Sequence, residues 1–284
     1  MRSAGMRPGQ TRVKLAALYV VVTAAALIWI APVFWMLSTS VKSESEIFTL
    51  PLHWIPWQPT VEHYLTALTK SLVARWFLNS VVITAIETAL ILVVDSLAAY
   101  SFARIPFKGR NIVFIVVIST MMIPVQVTLI PTYLLLSRMG WINTFQAVIA
   151  PALAGAFGVF LLKQFFEGIP SELEDAARID GSGRFGIFLR IILPLSVPAL
   201  TALGIFTALG SWNNFLWPLI VLQDNVKMTL PVGLATVLRG TYSTSNYGVL
   251  MAGAAIASAP VLLIYIIFQD RIIKGVTITG IIKG

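Results

Sequence analysis

The chain has 284 residues, 57% hydrophobic and only 11% charged, with 20 Lys+Arg against 12 Asp+Glu for a net charge of +8. A soluble domain is roughly 25% charged, so at a mean hydropathy of +0.86 there are too few polar groups to coat a water-soluble globule, and the composition points to the membrane. The absence of cysteine excludes disulfide frameworks, thiol catalysis, Fe–S clusters and cysteine-bound zinc.

Six apolar stretches are long enough to cross about 30 Å of hydrocarbon, which takes about 20 helical residues. In chain order the predicted spans are about 15–39, 77–103, 111–131, 144–165, 191–217 and 248–269. The fold expected from them is an all-α integral membrane protein with six transmembrane helices. A basic N-terminus (residues 1–14, with Arg2, Arg7, Arg12 and Lys14) precedes the first span. That span contains Trp29, Phe34 and Trp35 and is too long for a signal-peptide h-region, so it is expected to remain as an anchor. The second carries two acids, Glu87 and Asp95. Between the third and fourth, Pro124, Pro131, Gly140 and Asn143 supply the break that proline and glycine impose on a helix.

Lys and Arg set the orientation. Fourteen lie at the N-terminus, after the second and fourth spans, and at the C-terminus, whereas six (Lys42, Lys70, Arg75, Arg138, Lys227, Arg239) lie on the other side. Positive charge marks the cytoplasmic face, so both termini are expected inside. These cations sit between apolar blocks rather than on one face, so no nucleic-acid partner is expected. The outer segment from about Lys42 to Arg75, with Trp54, Pro56, Trp57 and Pro59, reads as an ordered external cap.

The longest and most charged inner segment is 166–190. Ser171 and Glu174 fit the S-x-x-E capping box, and Glu172, Glu174 and Asp175 put negative charge at a helix N-terminus. Gly181 stands where a left-handed C-cap is wanted. A helix over Glu172–Asp180 is therefore predicted. Leu173, Ala176, Ala177 and Asp180 share one face of it, whose two alanines would let another backbone come close. A solvated connector between two spans is the plainer reading of the same composition.

Asp175-Ala176-Ala177-x-x-x-Gly181, nine residues, then Ile191-x-Leu193-Pro194 resembles the E-A-A-x3-G-x9-I-x-L-P signature of ABC importer permease subunits, departing only in Asp175 for Glu. Trp76-Phe-Leu-Asn-Ser80, Ala98-Ala-Tyr-Ser-Phe-Ala-Arg104, Trp212-Asn-Asn-Phe-Leu-Trp-Pro218 and Thr229-Leu-Pro-Val-Gly233 are similar to the carbohydrate-uptake branch, specifically its maltose-permease-like six-span partner. The resemblance covers all but the basic N-terminal dozen. It implies the type I ABC importer permease fold in a prokaryotic cell (inner) membrane, with residues 15–284 as the permease domain and 166–190 as its cytoplasmic coupling loop. It also implies a second homologous permease subunit, a cytoplasmic ABC ATPase dimer, an extracellular or periplasmic solute-binding protein and surrounding membrane lipid. Glu174, Asp175, Ala176, Ala177 and Gly181 are then the ATPase-coupling residues. The chain needs no cofactor of its own; ATP and Mg would be bound by the ATPase, and the chain is not an enzyme. A sugar or oligosaccharide is the expected solute, with glycerol-phosphate or a polyol open within the same branch.

Gly181-Ser-Gly183-Arg-Phe-Gly186 also satisfies G-x-G-x-x-G, but no strand precedes it, and the sequence contains no G-x-x-x-x-G-K-[ST]. His53 and His63, ten apart with no nearby ligand set, read as surface or cap residues rather than a metal site. Asn79, Gln126, Asn213 and Asn214 lie near span ends and could line a solute path or hydrogen-bond between helices. Tyr242, Ser243, Thr244 and Asn246 suit contact with a docking protein. Ionisable groups within a span are functional candidates by default, and at about 100° per residue Glu87 and Asp95 are about 80° apart. They could serve a stand-alone ion-coupled carrier or make polar contacts to neighbouring helices.

Overall fold

The structure is a computed structural model that describes residues 8–242 and 246–281, with side chains described for 14–242 and 246–269. Among the described residues, three unbroken helices are long and apolar enough to cross a membrane: Lys14–Ser40, Val73–Arg104 and Tyr247–Gln269. Three bent pairs bring the number to six when each counts as one crossing: Arg110–Met122 with Val125–Arg138, Phe145–Ala152 with Phe157–Glu167, and Arg184–Leu195 with Val197–Trp212.

The bends follow from the sequence at each break. Pro124 forces Ile123 out of helical geometry (φ −87°, ψ 115°), as the residue before a proline must be, and the two arms meet at 101°. Pro131 sits inside the Val125–Arg138 helix and does not end it. Gly140 (φ 70°) and Asn143 (φ 64°) occupy the left-handed region that turns the chain back. The second pair bends by 42° and the third by 77°, and Val197–Trp212 restarts with Pro198 in its first turn, where a missing N–H costs nothing.

The chain divides into two compact units. The first comprises residues 1–71 and 238–256. Within it the 42–69 segment packs back on the end of the first helix, while Trp54, Ile55 and Trp57 stay more than half exposed. Trp54 packs edge-on against Trp35 with centroids 5.3 Å apart. The Lys42 ammonium is buried over the Trp35 ring at 4.2 Å and donates to the His53 carbonyl, so a cation taken from water regains aromatic and carbonyl contacts. His63 is a packing residue, 4% exposed, with its ring nitrogen 2.7 Å from the Lys42 carbonyl oxygen. Glu44 accepts from Tyr247 N–H at 3.0 Å, placing a carboxylate at the first turn of the last helix.

The second unit comprises residues 72–237 and 257–284. Val73–Arg104 packs against Phe157–Glu167 and Val197–Trp212. Close approach is possible because Gly158 faces Asp95: a Cβ at Gly158 would lie 1.9 Å from Asp95 Oδ2 and 2.9 Å from Leu203 Cδ2. Gly158→Ala should therefore cost about 1–3 kcal/mol, as overpacking of a tight core does, read as a lower thermal midpoint and lower membrane level. Combining it with Asp95→Ala should recover most of the loss. A double variant as poor as Gly158→Ala alone would show that Asp95 is not what this glycine accommodates.

Candidate functional site

The site is built on the end of the Val73–Arg104 helix. Its last residue, Arg104, directs the guanidinium into the junction of the Phe157–Glu167 helix and the segment that follows. Nη2 donates to the carbonyls of Phe166 and Ile169, and Nε lies 2.9 Å from Glu174 Oε1. The planar fork of arginine suits bridging two carbonyls while its charge faces a carboxylate. Glu174 is 2% exposed, so the pair is nearly desolvated. Its other oxygen is 3.3 Å from Arg178, and Arg178 reaches Asp175 at 2.6 Å. A chain of alternating charge thus runs from the spanning helix into the short helix Glu172–Ile179.

That helix lies where the sequence predicts one, with Asp180 as its C-cap. Gly181 adopts φ 82°, donating to Arg178 O at 3.0 Å, while Ser182 donates to Ala177 O at 2.9 Å. These two bonds form a Schellman motif. The N-terminal expectation is corrected. Ser171 is in right-handed helical geometry (φ −68°, ψ −23°) with no side-chain cap bond, whereas a capping residue needs extended backbone. The Glu174 carboxylate that would complete the box is turned inward to Arg104.

The faces also divide differently from expectation. Ala177 is half-buried against a core of Tyr100, Phe166, Ile187 and Phe188, and Tyr100 donates to the Arg184 carbonyl at 3.1 Å. Ala176, Asp175 and Asp180 face out, together with Leu173 (44% exposed) and Ile179 (87%). Both apolar side chains thus lie on the open side of a helix that is held from behind by the buried Glu174. The sequence reading missed Arg104 and Ile179. Arg104 carries no local signal because its partner is seventy positions on, whereas the outward set of Ile179 follows once Glu174 is known to face inward.

The other candidates scatter. Asn79 is buried and donates to the Val226 and Met228 carbonyls at 2.8 and 2.9 Å. Beside it Trp76 Nε1 donates to Asn225 O at 2.6 Å, and Ser80 accepts from Leu230 N–H at 2.8 Å. Asn79 therefore ties the 225–228 segment to the Val73–Arg104 helix. Gln126 is exposed. Asn213 is also exposed and donates back to Leu209 O at 2.8 Å, while Asn214 is half-buried. Glu87, 6% exposed, accepts from Ser211 at 3.0 Å, a helix-to-helix contact. Tyr242 is half-buried, and Asn246 accepts from Val249 N–H at 3.1 Å at the start of the last helix. Ser243 and Thr244 lie outside the described residues.

Residues 95–278 match the family described as binding-protein-dependent transport system inner membrane component. The arabinooligosaccharides transport system permease protein AraQ of Halalkalibacterium halodurans is 39% identical over 262 residues, spanning 91% of this chain and 93% of that protein. Its namesake in Bacillus subtilis is 38% identical over 263 residues, spanning 91% and 92%. Among solved structures, one from a bacterial ABC transporter involved in the import of the acidic polysaccharide alginate aligns with a TM-score of 0.83. It is 22% identical and covers 94% of this chain and 99% of that one, a likeness of fold.

Proposed function

The chain belongs to the family of binding-protein-dependent transport system inner membrane components, and from that premise we propose that it forms half of the translocation path for an oligosaccharide and couples to a separate ATPase through residues 166–190. It is a multi-pass membrane permease subunit of an ABC importer and not itself an enzyme. The observation that carries the coupling proposal is the Glu172–Ile179 helix. It is joined to a spanning helix by the buried Arg104–Glu174 pair, closed by Gly181, and presents Leu173, Ala176 and Ile179 outward. A helix so held can pass a push on its outer face to Val73–Arg104 as a rigid displacement; a connector would absorb it.

On this reading a second homologous permease completes the path, and a cytoplasmic ATPase dimer binds ATP and Mg. An external solute-binding protein delivers the cargo. Both termini are cytoplasmic, following the positive-inside count. The oligosaccharide class rests on the solutes named for the similar permeases. Glu87 is engaged with Ser211, which supports a packing role for that acid over an ion pathway.

The test is reconstitution in liposomes with the partner permease, ATPase and binding protein. Uptake of a labelled arabino-oligosaccharide should require ATP inside the ATPase compartment and the binding protein outside. Uptake by this chain alone, driven by an ion gradient, would replace the proposal with the carrier reading.

A further inference from the structure

A groove of about 590 Å³ opens between the Val73–Arg104 and Phe145–Ala152 helices. Its walls are almost wholly apolar, with Ile86, Leu90 and Leu153 below, whereas Arg75, Lys227 and Trp141 stand at one end. Arg75 is exposed, and its guanidinium forms no ion pair among the described residues. Lys227 donates once, to the Asn143 carbonyl at 3.0 Å, and an ammonium has three donors. Neither cation has a carboxylate partner among the described residues.

We propose that this groove binds an anionic phospholipid, its phosphate held by Arg75 and Lys227 and one acyl chain lying along Ile86, Leu90 and Leu153. Depth supports this occupant. At 1.5 Å per residue, Ile86 lies about 16 Å along the helix from Arg75 and Leu90 about 22 Å. One leaflet is half of the roughly 30 Å hydrocarbon thickness, so with Arg75 at the headgroup level the apolar wall ends near where a leaflet's chain ends. Trp141 at the mouth is the aromatic expected at that boundary. Arginine meets phosphate with two parallel donors. An acidic sugar fits less well. It would need polar partners along the groove, where the wall between the cations and Leu90 offers only Gln146 and Thr144, and the Thr144 hydroxyl is already given to Trp141 O at 2.6 Å.

The test is native mass spectrometry of the assembled importer, titrated with phosphatidylglycerol and with phosphatidylcholine of the same chains. Two surface cations should give phosphatidylglycerol a preference on the order of tenfold. Arg75→Gln with Lys227→Gln should abolish that preference with uptake machinery still assembled, and Leu153→Trp, which fills the groove, should lower retention of both lipids. Equal retention of the two lipids by the unaltered protein would overturn the proposal, as would a preference that survives the double substitution. Displacement of phosphatidylglycerol by glucuronate would give the groove to solute instead. Lipid retained by the free chain but excluded from the assembled importer would give it to the partner permease.

Discussion

Glu174→Ala is expected to abolish uptake while leaving the spanning helices inserted. The substitution removes the carboxylate facing Arg104 Nε and leaves a guanidinium, 13% exposed, without its counter-charge. Breaking a buried pair from one side typically costs about 3–5 kcal/mol. Here that cost falls where the Glu172–Ile179 helix meets the Val73–Arg104 helix, so the local attachment should fail before the fold does. Arg104→Lys should keep a fraction of the function, because an ammonium keeps the charge facing Glu174 but lacks the fixed planar fork that also reaches the two carbonyls. The charge-swapped pair Arg104→Glu with Glu174→Arg should not rescue, since the new carboxylate would face the carbonyls of Phe166 and Ile169. The measurements are uptake, membrane level, and ATPase stimulation by the binding protein. Rescue by the swapped pair would mean that only the net charge of the pair matters and that the carbonyl contacts are incidental.

What the sequence made legible here is what short-range physics controls. The apolar stretches could be read because crossing hydrocarbon sets a length and a composition, and Gly181 could be read because a left-handed cap favours one residue type. The bend at Pro124 was expected as a break, though its 101° angle depends on what each arm packs against. The reading went wrong where a long-range partner outbid a local one. Ser171 and Glu174 satisfy the capping-box pattern, yet a carboxylate gains more from a nearly desolvated guanidinium than from one exposed backbone N–H, so Glu174 faces Arg104. That single choice rotates the expected faces of the helix, carrying Ala177 into the core and Ile179 into the open. At Asn79 the sequence leaves a solute path and a structural hydrogen bond both open, and the partners that its amide finds, the loop carbonyls of Val226 and Met228, lie too far along the chain to be read locally.

The rotated face makes Ala176, rather than Ala177, the clean probe of docking. Ala177 touches the core, so Ala177→Trp should abolish uptake by disrupting the chain's own packing as much as any interface. Ala176 is exposed, and Ala176→Trp should leave membrane level and thermal stability unchanged. By overlap with a closely fitted partner surface it should abolish ATPase co-purification and uptake together. Gly181 separates backbone from bulk at the other end of the helix. A Cβ there meets nothing within 4 Å, so any effect of substitution comes from φ 82° alone. Gly181→Val places a β-branched residue in the left-handed region, where even an ordinary L-residue incurs roughly 1–2 kcal/mol, and the Schellman closure should open, changing the angle at which the helix is presented. Gly181→Asn, the residue that best tolerates this geometry after glycine, should retain most uptake. Three variants then give three signatures: Ala176→Trp stable but uncoupled, Gly181→Val uncoupled through its cap, and Gly181→Asn functional. Normal uptake and ATPase retention in Ala176→Trp would show that this face meets no partner, and the helix would be a connector after all.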